Sequence, residues 1–246
     1  MNKAMHIDLT ENTAPLVHLQ NVSWQRNGRT LLHKVELLLP ESGLVLFLGA
    51  NGAGKSSLLK LLAGVSQVSS GKILSQATAR IGWMPEPARF YDYLTVREHM
   101  FLQADLLALK NPLSAVNGLM EEWQLLEVDD YLAKHLSLGY RQRLSLAMAL
   151  LGQPNVLLLD EPMNGMDPSL LQQFKIFLSA TKNQTLVLMA THLLAEASDL
   201  ADHCIIMHQG ALLNYRSYQE SPVAGDALFR FYRDSLAQWQ QQEVYS

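Results

Sequence analysis

The sequence has little cysteine, no excess of positive charge and no long apolar run, and each shortage excludes a class of protein. Its one cysteine, Cys204, cannot form an internal disulfide, which fits a reducing compartment. The net charge of −4 argues against a dedicated nucleic-acid-binding protein, which normally carries a basic face. No apolar stretch reaches the roughly 20 residues that cross a bilayer, and residues 1–8 lack the apolar segment of a signal peptide. We therefore expect a soluble, cytoplasmic protein that acts on no nucleic acid but can dock on a membrane protein.

What the sequence does contain is a complete phosphate loop, G-x-x-x-x-G-K-S, at residues 49–56. The apolar run Leu44–Leu48 before it predicts a buried strand, and Ser57–Ala63 after it predicts a helix. Glycines let backbone N–H groups turn inward around phosphate oxygens, and the helix N-terminus adds positive potential. A glycine-rich turn that binds nothing is the alternative, but the strand and helix favour a nucleoside triphosphate site. Its predicted residues are Gly49, Ala50, Asn51, Gly52, Ala53, Gly54, Lys55, Ser56 and Ser57.

Two acids follow a second apolar run and complete the predicted chemistry. Val156–Asp160 reads as a buried strand, and a parallel strand that ends in carboxylates places them at the ligand-binding edge of an α/β sheet. Lys55 can reach the β- and γ-phosphates, while the Ser56 hydroxyl and Asp160 are suited to hold Mg²⁺. Glu161 is suited to orient the attacking water. On their own the acids could form a solvated turn, but beside a phosphate loop they predict a site.

The remaining pattern predicts an α/β protein interrupted by helices. Leu16–Val22 and Leu31–Leu39 alternate as two strands of an antiparallel hairpin, whereas the apolar spacing from Thr95 to Gly152 is helical. Strands return at Val156 and Thr185. The predicted organisation is a polar leader at 1–15, a core with an antiparallel β subdomain at 16–85 and 155–215, an inserted helical subdomain at 86–154, and a helical tail at 216–246.

The motifs outside the phosphate loop resemble those of the ATP-binding cassette (ABC) family of transport ATPases. Leu136–Arg143 reads L-S-L-G-Y-R-Q-R and is similar to that family's signature, usually written LSGGQ before a basic stretch. Asn164–Asp167 resembles the D-loop, and His192 follows its strand where the switch histidine is expected. The resemblance spans about Leu16 to Leu213 and implies a P-loop NTPase (RecA-like) core.

The resemblance also implies how the site is completed. Ser137 and Gly139 start a predicted helix, whose N–H groups form an anion-binding end, and the family likeness implies that they meet the γ-phosphate held by a second subunit. The implied unit is a head-to-tail homodimer over two ATP and two Mg²⁺. The likeness further implies that His192 contacts the γ-phosphate and that Asp167 makes contacts across the dimer. From the residues alone, Ser137 and Asp167 read as helix caps, and His192 as a polar strand end.

Several positions depart from the common family pattern. The signature has Leu138 and Tyr140 where glycine and glutamine are frequent, so the backbone approach at Leu138 differs. Glu86 stands where the family usually has a glutamine that contacts Mg²⁺-bound water, and it can still accept from such water. This variant resembles exporter-type (ABC-2-like) cassettes. Either Trp24 or Arg26 is expected to stack on adenine, with Trp24 as a core residue the alternative.

The segment Pro87–Leu94, after Glu86, is rich in aromatic residues. Its rings either pack inside the helical insertion or form a groove for a cytoplasmic helix of a membrane partner. From these features we expect the ATP-hydrolysing subunit of an ABC exporter, peripheral on the inner face of the cell membrane and paired with separate transmembrane subunits. The alternatives are a non-transport ABC ATPase and a regulatory ATP-binding switch.

Overall fold

The computed structural model, which describes residues 6–9, 15–218 and 225–244, consists of two β-sheets with helices packed on them. The strands are β1 (His6–Asp8), β2 (Val17–Arg26), β3 (Arg29–Leu39), β4 (Gly43–Leu48), β5 (Ser70–Ser75), β6 (Ile81–Met84), β7 (Val156–Asp160), β8 (Leu186–Thr191), β9 (His203–His208) and β10 (Ala211–Ser217). The helices are α1 (Lys55–Leu62), α2 (Val96–Leu106), α3 (Pro112–Glu122), α4 (Leu138–Leu150), α5 (Pro168–Thr181), α6 (Leu194–Ala197) and α7 (Gly225–Val244). Short 3₁₀ turns lie at Leu126–Val128 and Ala133–His135.

The larger sheet has six strands in the order β10-β9-β4-β8-β7-β6. All pairs are parallel except β10 with β9. Every residue of β7 and β8 is buried, which matches their nearly continuous apolar sequences, because strands of a parallel sheet are covered on both faces. The carboxyl ends of β4, β6, β7 and β8 therefore meet at one edge, and the predicted α/β core is confirmed.

The smaller sheet has the order β1-β3-β2-β5 and contains the predicted antiparallel hairpin. β2 and β3 turn at Asn27 and Gly28, which have φ values of 50° and 74°, as a two-residue hairpin turn requires. The polar leader predicted for 1–15 is wrong in part. Residues 6–8 form β1, which pairs with β3 in parallel, and Ile7 is fully buried. Three residues are too few for the alternation of a strand to show in a sequence.

The helices predicted between Thr95 and Gly152 are confirmed as α2, α3 and α4. α2 begins with a complete capping box, in which the Thr95 hydroxyl accepts from the Glu98 N–H and the Glu98 carboxylate accepts from the Thr95 N–H. Met100, Trp123 and Leu144 belong to the same buried apolar cluster as residues of β4, β6 and β7. This shared core fixes the start of α4, and with it the signature, relative to the large sheet.

The C-terminal part of the chain packs against the large sheet. Of the helical tail predicted for 216–246, residues 225–244 form α7, whereas residues 216–217 end β10, and residues 219–224 and 245–246 lie outside the described residues. Leu228 and Phe231 of α7 are buried in the main apolar cluster, and Cys204 lies fully buried in β9. Among the helices in the described ranges, none carries an apolar stretch of the length needed to cross a membrane.

Candidate functional site

The phosphate loop joins β4 to α1 and is enclosed by two other turns of the fold. Gly54 has a φ of 107°, and a Cβ built there would lie 2.9 Å from the carbonyl oxygen of Leu31, so only glycine fits without movement. From the other side, the Gly210 N–H donates to the Ala53 carbonyl at 2.9 Å. The loop borders a groove of about 650 Å³, which is large enough for part of a nucleotide.

Most of the predicted phosphate-loop residues line this groove, namely Asn51, Gly52, Ala53, Gly54, Lys55, Ser56 and Ser57. Gly49 and Ala50 instead present their carbonyl oxygens to the Lys55 ammonium, at 2.7 and 3.5 Å from Nζ. Thr30, Leu31 and Gln209 also line the groove, and the sequence did not single them out. They come from the β2–β3 hairpin and the β9–β10 turn, so only the sheet order brings them to the loop.

Lys55 also faces the acids at the end of β7. Its side chain is only 5% exposed, and Nζ lies 3.6 Å from Oε1 of Glu161. The other carboxylate oxygen of Glu161, Oε2, lies 2.8 Å from Nδ1 of His192 and accepts from the His192 N–H at 3.2 Å. Lys55 and His192 therefore both contact Glu161, and the three predicted catalytic residues meet at a single sheet edge.

Ser56 and Asp160 form the second pair at this edge. The Ser56 hydroxyl donates to Oδ1 of Asp160 at 2.9 Å, while Oδ2 of Asp160 is buried with no hydrogen-bond partner among the residues that the structure describes. Burial raises the pKa of Asp160 to about 6, because it disfavours the charged form. A buried carboxylate oxygen without a partner fits a cation ligand, so Ser56 and Asp160 are the residues that would hold Mg²⁺.

No group of three or more histidine, cysteine, aspartate or glutamate side chains in the described ranges is arranged to hold a metal alone. Mg²⁺ usually takes only one or two protein ligands and completes its shell with phosphate oxygens and water. The pair Ser56 and Asp160 is sufficient for that mode of binding.

Glu86 lies just beyond β6 at the same edge of the sheet. β6 pairs with β7 through Met84 and Leu159, so the chain after Met84 runs beside the end of β7. The Glu86 carboxylate accepts from Nε2 of Gln142 at 3.4 Å. Gln142 is a buried residue of α4, and this contact ties Glu86 to the signature helix; the contact of Glu86 with metal-bound water remains a prediction.

The signature residues face away from the groove of their own chain. The Ser137 hydroxyl caps α4 by accepting from the Tyr140 N–H at 3.4 Å, and the neighbouring Leu138 is 55% exposed. Within the described residues, the lining of the groove includes neither Ser137 nor Gly139. The start of α4 thus lies at the surface outside the groove, and its binding of an anion stays a prediction.

Asp167 caps α5, as the sequence indicated for its local role. Its Oδ1 accepts from the Ser169 and Leu170 N–H groups, each at 2.9 Å. These backbone hydrogen bonds hold the pKa of Asp167 below its ordinary value. The Asp167 side chain is 58% exposed, and Arg143 of α4 lies 3.8 Å from its Oδ2. Its contact across a dimer stays a prediction.

The structure distinguishes between Trp24 and Arg26, the two candidates for stacking on adenine. Trp24 is 7% exposed and packs in the second apolar cluster with Leu32, its partner on β3, so its ring has no free face for a base. The prediction for Trp24 as a base-stacking residue is therefore wrong, because its face of β2 points into the core. Arg26 is exposed at the end of β2 and remains the candidate.

Comparison with known proteins agrees with this site. A family model described as ABC transporter matches residues 32–164, which is more than half of the chain. The lantibiotic transport ATP-binding protein SrtF of Streptococcus pyogenes is 29% identical over 214 residues, covering 84% of this chain and 93% of SrtF. The bacitracin transport ATP-binding protein BcrA of Bacillus licheniformis is 34% identical over 179 residues, covering 68% of this chain and 58% of BcrA.

A solved structure, that of the ATP-binding subunit of an ABC transporter, has the same fold. It superposes with a TM-score of 0.75 at 23% identity, covering 89% of this chain and 99% of that one. Sequence, architecture and the contacts around Lys55 thus lead to one assignment: the chain belongs to the ABC transporter family, as an ATP-binding subunit with the residues of an ATP hydrolase.

Proposed function

We propose that this chain is the ATP-hydrolysing subunit of an exporter, that two copies pair head-to-tail over two Mg-ATP, and that the pair drives separate transmembrane subunits from the cytoplasmic face of the membrane. One observation carries the proposal. Lys55 and His192 both contact Glu161 at the edge of a groove, whereas Ser137, which caps α4, is exposed outside that groove. The chain thus carries two parts of an ATP site that do not meet within one copy.

The hydrolytic step follows from the contacts of Glu161. Its carboxylate, oriented by His192 and Lys55, accepts the proton of a water whose oxygen attacks the γ-phosphorus. The bond from the γ-phosphorus to the bridging oxygen breaks, and ADP leaves with its electron pair. Ser56 and Asp160 would hold Mg²⁺, which would neutralise negative charge that develops on the phosphate groups. The Lys55 ammonium adds positive charge on the same groups, which favours the transition state.

Head-to-tail pairing supplies the group that each groove lacks. The start of α4 offers backbone N–H groups and the Ser137 hydroxyl to an anion, as helix N-termini do. A two-fold rotation that pairs two copies would bring each Ser137 to the groove of the other copy, and two-fold symmetry is the commonest among homo-oligomers. We further propose that Asp167, whose side chain is 58% exposed, contacts the second copy.

A cavity beside Glu86 supports the proposal that the chain binds a membrane partner. It measures about 630 Å³ and lies between β6, α2 and α4, with Trp83, Phe90, Leu107 and Met148 among its lining residues. Beside it, Tyr91 and Tyr93 are 67% and 79% exposed. A partly apolar cavity near exposed aromatic side chains is typical of a protein docking site, and we propose that it binds one amphipathic helix of a transmembrane subunit, with Arg80 and Arg89 of the lining available to the polar face of that helix. The names of the relatives SrtF and BcrA, both transport proteins, agree with this role.

The test of catalysis replaces single side chains in the groove. We expect Glu161→Gln to lower ATP turnover by about 10²–10⁴-fold, since the proton acceptor is lost, while ATP-bound pairs accumulate. We expect Lys55→Ala to weaken ATP binding itself, by about tenfold or more, because a charge-assisted hydrogen bond to phosphate is removed. Steady-state phosphate release and nucleotide-binding titration measure the two effects.

The matched control is Glu121→Gln, on the exposed face of α3, which removes the same charge far from the groove. Its turnover should equal that of the unmodified chain. If Glu161→Gln retained full turnover, the assignment of the catalytic carboxylate would be refuted. If the unmodified chain with its membrane partner bound ATP but released no phosphate, the regulatory alternative would replace hydrolysis.

A further inference from the structure

The signature of this chain contacts its own D-loop through Leu138, the first residue of α4. A Cβ built on Gly165 would lie 2.7 Å from Cγ of Leu138 and closer still to Cδ2. Gly165 has a φ of 74°, in the left-handed region. The leucine side chain therefore rests directly on the bare Cα of this glycine. A signature with glycine at this position, the form usually written for the family, has no side chain that could make this contact.

The D-loop connects that contact to the catalytic carboxylate. The Asn164 N–H donates to the carbonyl oxygen of Glu161 at 3.2 Å, so the residue before Gly165 is bonded to the backbone of the catalytic residue. A second link lies on the other side, where Arg143 of α4 faces Asp167 at 3.8 Å. The turn from Glu161 to Asp167 is thus held to the start of α4 at two points.

The inference rests on the proposed pair of copies, in which the turn at Glu161 and the start of α4 act on different ATP molecules. Glu161 acts on the ATP in its own groove, whereas Ser137, adjacent to Leu138, binds the ATP of the other copy. We propose that Leu138 is a positioning residue that couples the two ATP sites. When Ser137 binds the ATP that the second copy holds, the Leu138 side chain is held against Gly165. This contact fixes the turn that orients Glu161.

A simpler role for Leu138 would be apolar contact with the second copy alone. Its side chain is 55% exposed, and such a role would need no contact with Gly165. The two roles are separated by the cooperativity of ATP hydrolysis, because a leucine that only contacts the second copy changes pairing but leaves the two ATP sites coupled.

The structure provides a compatible pair of substitutions. In Gly165→Ala the new Cβ overlaps the end of the Leu138 side chain, but it lies 3.7 Å from Leu138 Cβ, which is ordinary contact. Alanine at both positions therefore fits. The strain of a side chain at a φ of 74° is the same in both backgrounds, so it cancels in the double-mutant cycle.

The experiment measures phosphate release against ATP concentration, together with ATP-dependent pairing by sedimentation velocity. The proteins are the unmodified chain, Leu138→Ala, Gly165→Ala, the double variant and a control, Leu113→Ala. Leu113 is a 60% exposed leucine in the first turn of α3, so its truncation removes a similar apolar side chain away from the D-loop. Melting curves for each variant report folding.

We expect the unmodified chain to hydrolyse ATP with a Hill coefficient above 1 and Leu138→Ala to bring the coefficient to about 1, as for uncoupled sites. Gly165→Ala should lower turnover at least about threefold more in the Leu138 background than in the Leu138→Ala background. Leu113→Ala should match the unmodified chain.

A cooperative Leu138→Ala variant, a non-cooperative unmodified chain that still pairs, or independent effects of the two positions would each overturn the coupling role and leave the proposed function intact. An unmodified chain that neither pairs nor hydrolyses ATP would instead overturn the proposed function.

Discussion

The burial of Asp160 predicts that the substitution Asp160→Asn stabilises the protein when Mg²⁺ and nucleotide are absent. The side chain is 1% exposed, and its pKa is raised from 3.8 to about 6, chiefly by burial. A raised carboxyl pKa means that protonation of Asp160 stabilises the folded state relative to the unfolded state. The associated stability is complete below pH 3.8 and is lost as the pH rises through about 6. A neutral amide of the same shape avoids this loss.

The magnitude follows from the pKa difference, since each unit corresponds to about 1.4 kcal/mol. At pH 7.5 we expect Asp160→Asn to raise the free energy of unfolding by about 3 kcal/mol, and at pH 4.5 by only about 1 kcal/mol, because the native carboxyl is then largely protonated. Urea unfolding in EDTA at the two pH values measures both differences. Adding Mg-ATP at pH 7.5 should reverse the order of stability, because the unmodified chain then gains a metal ligand.

The control is Asp199→Asn, at a 60% exposed aspartate that pairs with Lys175. A surface pair is worth about 0–1 kcal/mol, so this change should stay within that range at both pH values. The reasoning would be refuted if Asp160→Asn destabilised the metal-free protein at pH 7.5, or if its effect were the same at pH 4.5.

Two further predictions concern the phosphate loop and the aromatic segment. Gly54→Ala should destabilise the fold by about 1–3 kcal/mol and abolish ATP binding, since a Cβ meets the Leu31 carbonyl at a φ of 107°; chemical denaturation and nucleotide titration check both effects. Tyr91→Ser should weaken association with the membrane partner by about tenfold or more, as for an exposed aromatic contact residue, while ATP binding by the isolated chain is unchanged. Retained co-purification of the partner with Tyr91→Ser would contradict the proposed docking site.

The parts of the site that sequence predicts correctly are those encoded locally. The phosphate loop lies between a strand and a helix that its flanking residues specify, and the acids at 160 and 161 end an apolar run. Their convergence follows from a general property of parallel sheets, whose strands end at one edge. The meeting of Lys55, Asp160 and Glu161 at one sheet edge could therefore be predicted before any distance was known.

The parts that sequence does not predict depend on which strands are neighbours. Trp24 is an aromatic residue of the kind that stacks on bases. The pairing of β2 with β3 and β5 nevertheless places its side chain in the apolar core. Leu31 and Gln209 reach the groove only because the hairpin and the β9–β10 turn close over the loop. The contact between Leu138 and Gly165 likewise joins two motifs that are distant in the chain.

The buried thiol of β9 has a practical consequence for spectroscopy. Burial raises the pKa of Cys204, and its sulfur is shielded on all sides by the sheet and its covering helices, so maleimide dyes should leave it unmodified in the native protein. A cysteine introduced at an exposed position such as Ile176 would then be the sole labelling point. Fluorescence transfer between two singly labelled copies could follow their approach in real time without removing the natural cysteine.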